Sequence, residues 1–120
     1  MGTVVALAGQ VGGAKLADWF RRLRGSDLVV IVNTGDDHEV FGLAFAPDID
    51  TMLYTLGGIA GPAAGWEPAG ETYALHETLH RFGSEHRVRV GDRSLALPLL
   101  RTEALRAERS LSQITLGFCK

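Results

Sequence analysis

Cysteine is nearly missing from this sequence. Cys119 stands alone among 120 residues, which excludes a disulfide framework and a thiolate metal site. The residue reads as an inert thiol near a helix end. Neither sign of charge dominates, since 12 basic and 14 acidic residues leave a formal net charge of -2. No basic run or aromatic platform disturbs that balance, so nucleic acid is not an expected partner. Long apolar runs are absent too. None reaches membrane-spanning length. The start, Met1-Gly2-Thr3, lacks the basic stretch of a secretory signal, and the apolar run behind it is too short. The expectation is a cytoplasmic protein with no membrane partner. With 46% hydrophobic and 22% charged residues, the chain reads as one soluble globular domain, residues 1–120, large enough for a core.

Glycine, by contrast, is abundant. Fifteen glycines are about twice ordinary usage, which favours a ligand site built from loops. Three of them follow the first apolar run, Val4 to Ala8, in the stretch G-Q-V-G-G-A-K-L, Gly9 to Leu16. Glycine sacrifices backbone entropy, so a cluster answers a need for unusual angles or close approach. A phosphate on a helix N-terminus is one such need, with Gly9, Gly12 and Gly13 admitting it and Lys15 adding charge. A tight strand-to-helix turn with a solvated Lys15 is the other reading. The G-x-x-G-G spacing matches neither the dinucleotide fingerprint nor the P-loop.

Thr3 to Ala8 reads as a buried parallel strand and Gly12 to Arg24 as a helix. The helix shows Leu16, Trp19, Phe20 and Leu23 at helical spacing, with Asp18, Arg21 and Arg22 opposite. Gly25-Ser26-Asp27 stops it, and Leu28 to Val32 forms a second buried strand. Together these make a right-handed βαβ unit. Gly42 to Ala46 is a short strand or an extended loop. Pro47 to Asp50 reads as a turn, with Asp50 capping a helix from Thr51 to Leu56. Gly57 to Gly70 is a long irregular loop, Thr72 to Phe82 a helix, and Arg87 to Val90 a short strand. Gly91-Asp92-Arg93 turns into a helical stretch in which Pro98 imposes a kink or a delayed start. Ser110 to Gln113 is a capping box for a last helix.

In open α/β sheets, ligands lie beyond the carboxyl ends of the strands. The first strand ends in the glycine loop and the second in Asn33-Thr34-Gly35-Asp36-Asp37, so the two loops should adjoin. Asp48 and Asp50 follow at a turn. Four carboxylates beside a phosphate repel one another unless a cation intervenes, and Mg2+ takes carboxylate and phosphate oxygens. The simpler readings are a cap for Asp50, a turn for Asp36 and Asp37, and local backbone bonds for Asn33 and Thr34. Trp66 either plugs an apolar gap or stacks on a flat ring. His76 to His80 fits H-E-x-x-H, the zinc-protease helix, but no third histidine follows at the required spacing. Two ordinary histidines on an exposed helix explain it better. His38 directly follows the aspartate pair.

Taken in order, G-Q-V-G-G-A-K-L, I-V-N-T-G-D-D, P-D-I-D-T-M-L-Y-T-L-G-G, G-W, G-D-R-S-L-A and L-L-R-T resemble the 2-phospho-L-lactate transferase family of deazaflavin coenzyme biosynthesis. The resemblance runs from Thr3 to about Cys119. It implies an α/β, Rossmann-like fold with a mostly parallel sheet. It also implies a Mg2+-dependent reaction in which a guanosine-linked donor passes its phospholactyl group to the hydroxyl of the deazaflavin precursor Fo, releasing GMP. The resemblance puts Gly9, Gly12, Gly13, Lys15, Asn33, Thr34 and Trp66 in ligand contact, and Asp37 and Asp50 at the metal or the hydroxyl. The family has glycine where Gln10 stands and aspartate where Ser94 stands. Its members are more than twice as long, so an incomplete sheet that self-associates is expected here. The alternatives are a non-catalytic nucleotide- or Fo-binding fragment, and a relative that binds nucleotide sugars.

Overall fold

The computed structural model describes residues 2–24 and 27–120. Strand β1 (Val4–Ala8), helix α1 (Gln10–Arg24) and strand β2 (Leu28–Val32) form the expected βαβ unit. β1 and β2 pair in parallel, with Val4 opposite Leu28 and Ala8 opposite Val32. Of the stop predicted after α1, Gly25 and Ser26 lie outside the described residues. β3 (His38–Val40) and β4 (Leu43–Phe45) form a separate antiparallel hairpin. The pattern around Gly42 had suggested only the second of these strands. Phe41 and Gly42, both at positive φ, make the turn between them.

Helix α2 (Pro47–Leu56) starts four residues earlier than the capping pattern predicts. Pro47 has the fixed φ suited to the first helical position. Asp48 and Asp50 lie in the first turn, where carboxylates favour the helix dipole. Asp50 is therefore not a cap, and its N–H donates to the Ala46 carbonyl at 2.9 Å. α3 (Ala74–Arg81), α4 (Ala96–Arg106) and α5 (Leu111–Phe118) complete the chain. Pro98 falls in the first turn of α4, where its missing N–H does no harm. The predicted capping box at Ser110 and Gln113 is formed in full, and Cys119 lies exposed at the end of α5. Residues 87–90, expected as a strand, form none, since no strand among the described residues pairs with them.

The core is small and sits between α1, α2 and the parallel strands. Ala14, Ala17 and Met52 are buried there, with Ala8, Val30, Val32 and Leu56 against them. The alanines let α1 and α2 approach closely. Of the predicted stripe Leu16, Trp19, Phe20 and Leu23, Phe20 is half-buried and the other three are more than half exposed. The radius of gyration is 15.4 Å, against roughly 13–14 Å for a compact chain of this length. These features fit an α/β, Rossmann-like fold whose sheet is incomplete.

Two carboxylates clasp the second half of the chain. Glu71 accepts the N–H groups of Arg93 and Ser94, at 2.8 and 2.9 Å, just ahead of α4. Asp92 accepts those of Ala74 and Leu75, both at 2.9 Å, at the start of α3. Each loop thus caps the other's helix, so Asp92 of the G-D-R-S motif is structural. A Cβ on Gly91 would overlap the Glu71 carboxyl group. Gly91→Ala should therefore open the clasp and destabilise the fold by about 1–3 kcal/mol, read as a lower midpoint in thermal denaturation. An unchanged midpoint would show that the clasp adjusts freely.

Candidate functional site

The two predicted loops do adjoin, and the Asn33 N–H donates to the Ala8 carbonyl at 3.0 Å. Asp48, buried at the start of α2, joins them. One of its oxygens accepts the Gln10 N–H at 3.0 Å and the other the Asn33 side-chain amide at 2.9 Å. A leading N–H of α1, expected to face a phosphate, is thus taken by the protein's own carboxylate. Asn33 is equally committed, since its Oδ1 accepts the Gly35 N–H at 3.1 Å.

The glycines divide by role. Gly13 packs on β1: a Cβ there would stand 3.1 Å from the Cβ of Ala8. A Cβ on Gly9 would stand 3.4 Å from Asp48 Oδ2 and 3.5 Å from the Cβ of Asn33. Gly12 is exposed, and nothing lies within 4 Å of its Cβ direction. Of the three, only Gly12 has room for a ligand. Gln10 has φ 57°, left-handed backbone that glycine adopts without strain. That accounts for the glycine the resembled family has here. Lys15 is exposed on α1, and Thr34 is exposed in the turn, where its carbonyl accepts the Asp37 N–H at 3.1 Å.

Asp37 and Asp50 lie within electrostatic reach of each other, and Asp48 is close enough to act on Asp37. Burial raises the Asp37 pKa, opposed by the positive charge of Arg101. Its Oδ1 is buried and has no hydrogen-bond partner. Burial also raises the Asp50 pKa, again opposed by Arg101, whose guanidinium pairs with it. Among the described residues, no three His, Cys, Asp or Glu side chains are grouped as a ready-made metal site. Of these carboxylates Asp37 has an unpartnered oxygen, whereas both oxygens of Asp50 face Arg101. The rings of His76 and His80 meet edge-to-face on α3 with centroids 4.5 Å apart.

Beside Asp50 opens a cavity of about 320 Å3, walled by His38, Phe45, Tyr54, Trp66 and Arg89. His38 stacks on Phe45, with ring centroids 5.8 Å apart. Trp66 is 59% exposed, so it plugs no gap. It is carried by a loop that closes through an Ala60–Pro68 bridge and rests at Gly65 against Val11. Tyr54 is buried, and burial, with Asp50 and Glu71 nearby, pushes its pKa well up. Ser94 hydrogen-bonds Glu71 at the cavity edge, where the aspartate of the resembled family would set two carboxylates together. A larger cavity of about 610 Å3 is mostly apolar, lined by Leu53, Ile59, Pro68, Leu97 and Phe118, with Tyr54 and Arg93 as its polar members.

Sequence reasoning missed the roles of Asp48, Glu71 and Arg101. Asp48 had a visible signal, two residues before Asp50 at a helix start. Glu71 and Arg101 had none, because their partners are 22 and 51 positions away.

Fold and site together define a Rossmann-like α/β protein. A glycine-rich helix start and an aspartate cluster meet at the carboxyl edge of its parallel strands. The family model described as 2-phospho-L-lactate transferase CofD matches residues 4–119, and the chain belongs to that family. It is 42% identical over 118 residues to the phosphoenolpyruvate transferase of Streptomyces avermitilis, with 97% of this chain and 37% of that protein covered. Over 129 residues it is 40% identical to the phosphoenolpyruvate transferase of Mycobacterium ulcerans, covering 97% and 39%. The protein of the same name in Nocardia farcinica is 42% identical over 118 residues, covering 97% and 36%. The chain spans a little over a third of the length of these curated relatives. No helix among the described residues is long and apolar enough to cross a membrane.

Proposed function

We propose that this chain forms the glycine-loop and acidic-cluster part of an enzyme acting on a guanosine diphosphate-linked donor. The enzyme moves a phospholactyl or phosphoenolpyruvyl group to the hydroxyl of Fo and releases GMP. The names of the relatives favour the phosphoenolpyruvyl form. The observation that carries the reading is the aromatic cavity with Asp50 in its wall, next to a second cavity that Asp37 lines and that shares His38 and Phe45 with it. Its volume lies near the lower end of ligand pockets, roughly 300–1,000 Å3. In this reading Trp66 and His38 stack on the flat ring of Fo, and Gly12 admits the donor's phosphates. The Fo hydroxyl oxygen attacks the transferring phosphorus. The bond from that phosphorus to the GMP oxygen breaks, GMP keeps the electron pair, and Asp37 is the candidate to accept the hydroxyl proton. Mg2+, held by Asp37 and Asp50, would neutralise charge on the phosphoryl group, which is most of what such transfers require.

The test is calorimetric titration with a guanosine nucleotide and Mg2+, followed by a turnover assay with donor and Fo. Gly12→Val should fold like the wild type, because its Cβ meets open space, yet lose nucleotide binding. Undiminished affinity in the folded variant would make the loop a plain structural turn. Binding without turnover would favour the second reading, a non-catalytic nucleotide- or Fo-binding fragment.

A further inference from the structure

Arg101 is 1% exposed, in a protein whose hydrophobic core is small. Its guanidinium pairs with Asp50 through both terminal nitrogens, Nη1 lying 3.4 Å from Oδ2. Nη1 also donates to the Ala44 carbonyl at 3.1 Å. The next residue, Thr102, accepts the Ala44 N–H at 2.8 Å and donates to the Pro98 carbonyl at 2.6 Å. Helix α4 therefore grips Ala44 by both its backbone groups. Ala44 lies on β4, whose partner β3 begins directly after Asp37. Asp37 and Arg101 also line one cavity of about 310 Å3. The two buried side-chain atoms without hydrogen-bond partners among the described residues are Asp37 Oδ1 and Arg101 Nε.

We propose that Arg101 is a positioning residue that fixes the Asp50 carboxylate, and the hairpin carrying Asp37, in the arrangement that binds a divalent cation. The proposal rests on the reading of Asp37 and Asp50 given above. A buried ion pair adds little net stability, because desolvation offsets the attraction. What a guanidinium adds is geometry, since its planar fork can hold a carboxylate and a carbonyl at once. Partners behind a metal ligand orient it, and losing one weakens metal binding by roughly 10–100-fold. The sign of the effect is diagnostic. Removing a nearby positive charge should by itself tighten cation binding to ionised carboxylates, so a loss that persists at a pH where both aspartates are ionised comes from lost positioning.

The experiment is Mn2+ binding to the 120-residue chain, read by the loss of the free-ion EPR signal, with thermal melts in parallel. Wild type should bind Mn2+. Arg101→Met, of similar length and uncharged, should bind it about tenfold or more weakly while still melting cooperatively. Arg101→Lys keeps the charge and loses the fork, and should be intermediate. Equal or tighter binding in a folded Arg101→Met protein overturns the proposal and leaves the site reading standing. If Arg101→Met does not fold, wild-type affinity in Arg101→Lys overturns it instead. Absence of Mn2+ binding in the wild type sinks the site reading and the proposal together.

Discussion

Asp37→Asn should abolish the magnesium dependence of nucleotide binding, weakening it by about tenfold or more, yet leave the fold as stable as before or more so. Function and stability pull this residue in opposite directions. Its Oδ1 is buried without a partner, and burial raises its pKa despite the nearby Arg101. A carboxyl group whose folded pKa exceeds its unfolded value binds protons more tightly when folded. Its contribution is favourable below the unfolded pKa and is lost as pH rises through the folded pKa. At neutral pH the ionised Asp37 therefore costs stability, and asparagine removes that cost. Asp18, Glu71 and Asp92 have lowered pKa values and oppose this trend, losing their contributions as pH falls. The comparison must therefore be variant against wild type across pH. The gap in midpoint should open above the ordinary carboxylate range and close below it. A variant that melts lower at neutral pH, or that keeps its magnesium response, would remove Asp37 from the site.

The 120-residue chain should self-associate, and charges on one sheet face should make it monomeric. β1 and β2 alternate, half-burying one face and leaving Val5, Leu7, Val29 and Ile31 at 58%, 80%, 48% and 53% exposure. These four apolar side chains adjoin across the ladder, with Val5 opposite Val29 and Leu7 opposite Ile31. Both strands also have an open hydrogen-bonding edge, because their sheet has two strands among the described residues. Such a surface favours pairing with another chain. Light scattering and ANS fluorescence over a concentration series should show association of the wild type and dye binding. Leu7→Lys with Ile31→Lys should scatter as a monomer with the same helical content. A monodisperse, dye-silent wild type with a sharp two-state melt would mean that these residues complete their own core.

Local pattern made much of this protein legible. The apolar runs from Val4 and Leu28, with a glycine-punctuated helix between them, specify a parallel βαβ unit because short apolar strands and a crossover helix have few other solutions, although the strands expected to be buried are exposed on one face. The Ser110–Gln113 capping box and the early position of Pro98 in α4 were equally local, each turning on backbone groups a few residues away. The motif order from Gly9 to Thr102 also led to the family. What sequence could not determine was which polar group meets which. Asp50 looked like a helix cap, but Pro47 starts the helix earlier and Asp50 turns inward to Arg101, 51 residues on. Asp48 looked like a turn residue and is instead the clasp between the two strand-end loops. The stripe of Leu16, Trp19, Phe20 and Leu23 looked like core, yet only Phe20 is half-buried, and the small face of Ala14 and Ala17 is what α2 can approach. Hydrophobic period reports that a helix has two faces, and capping patterns report where one can begin. Which face is buried, and which carboxylate is left with a free oxygen, depends on elements distant in sequence, and only their packing decided it.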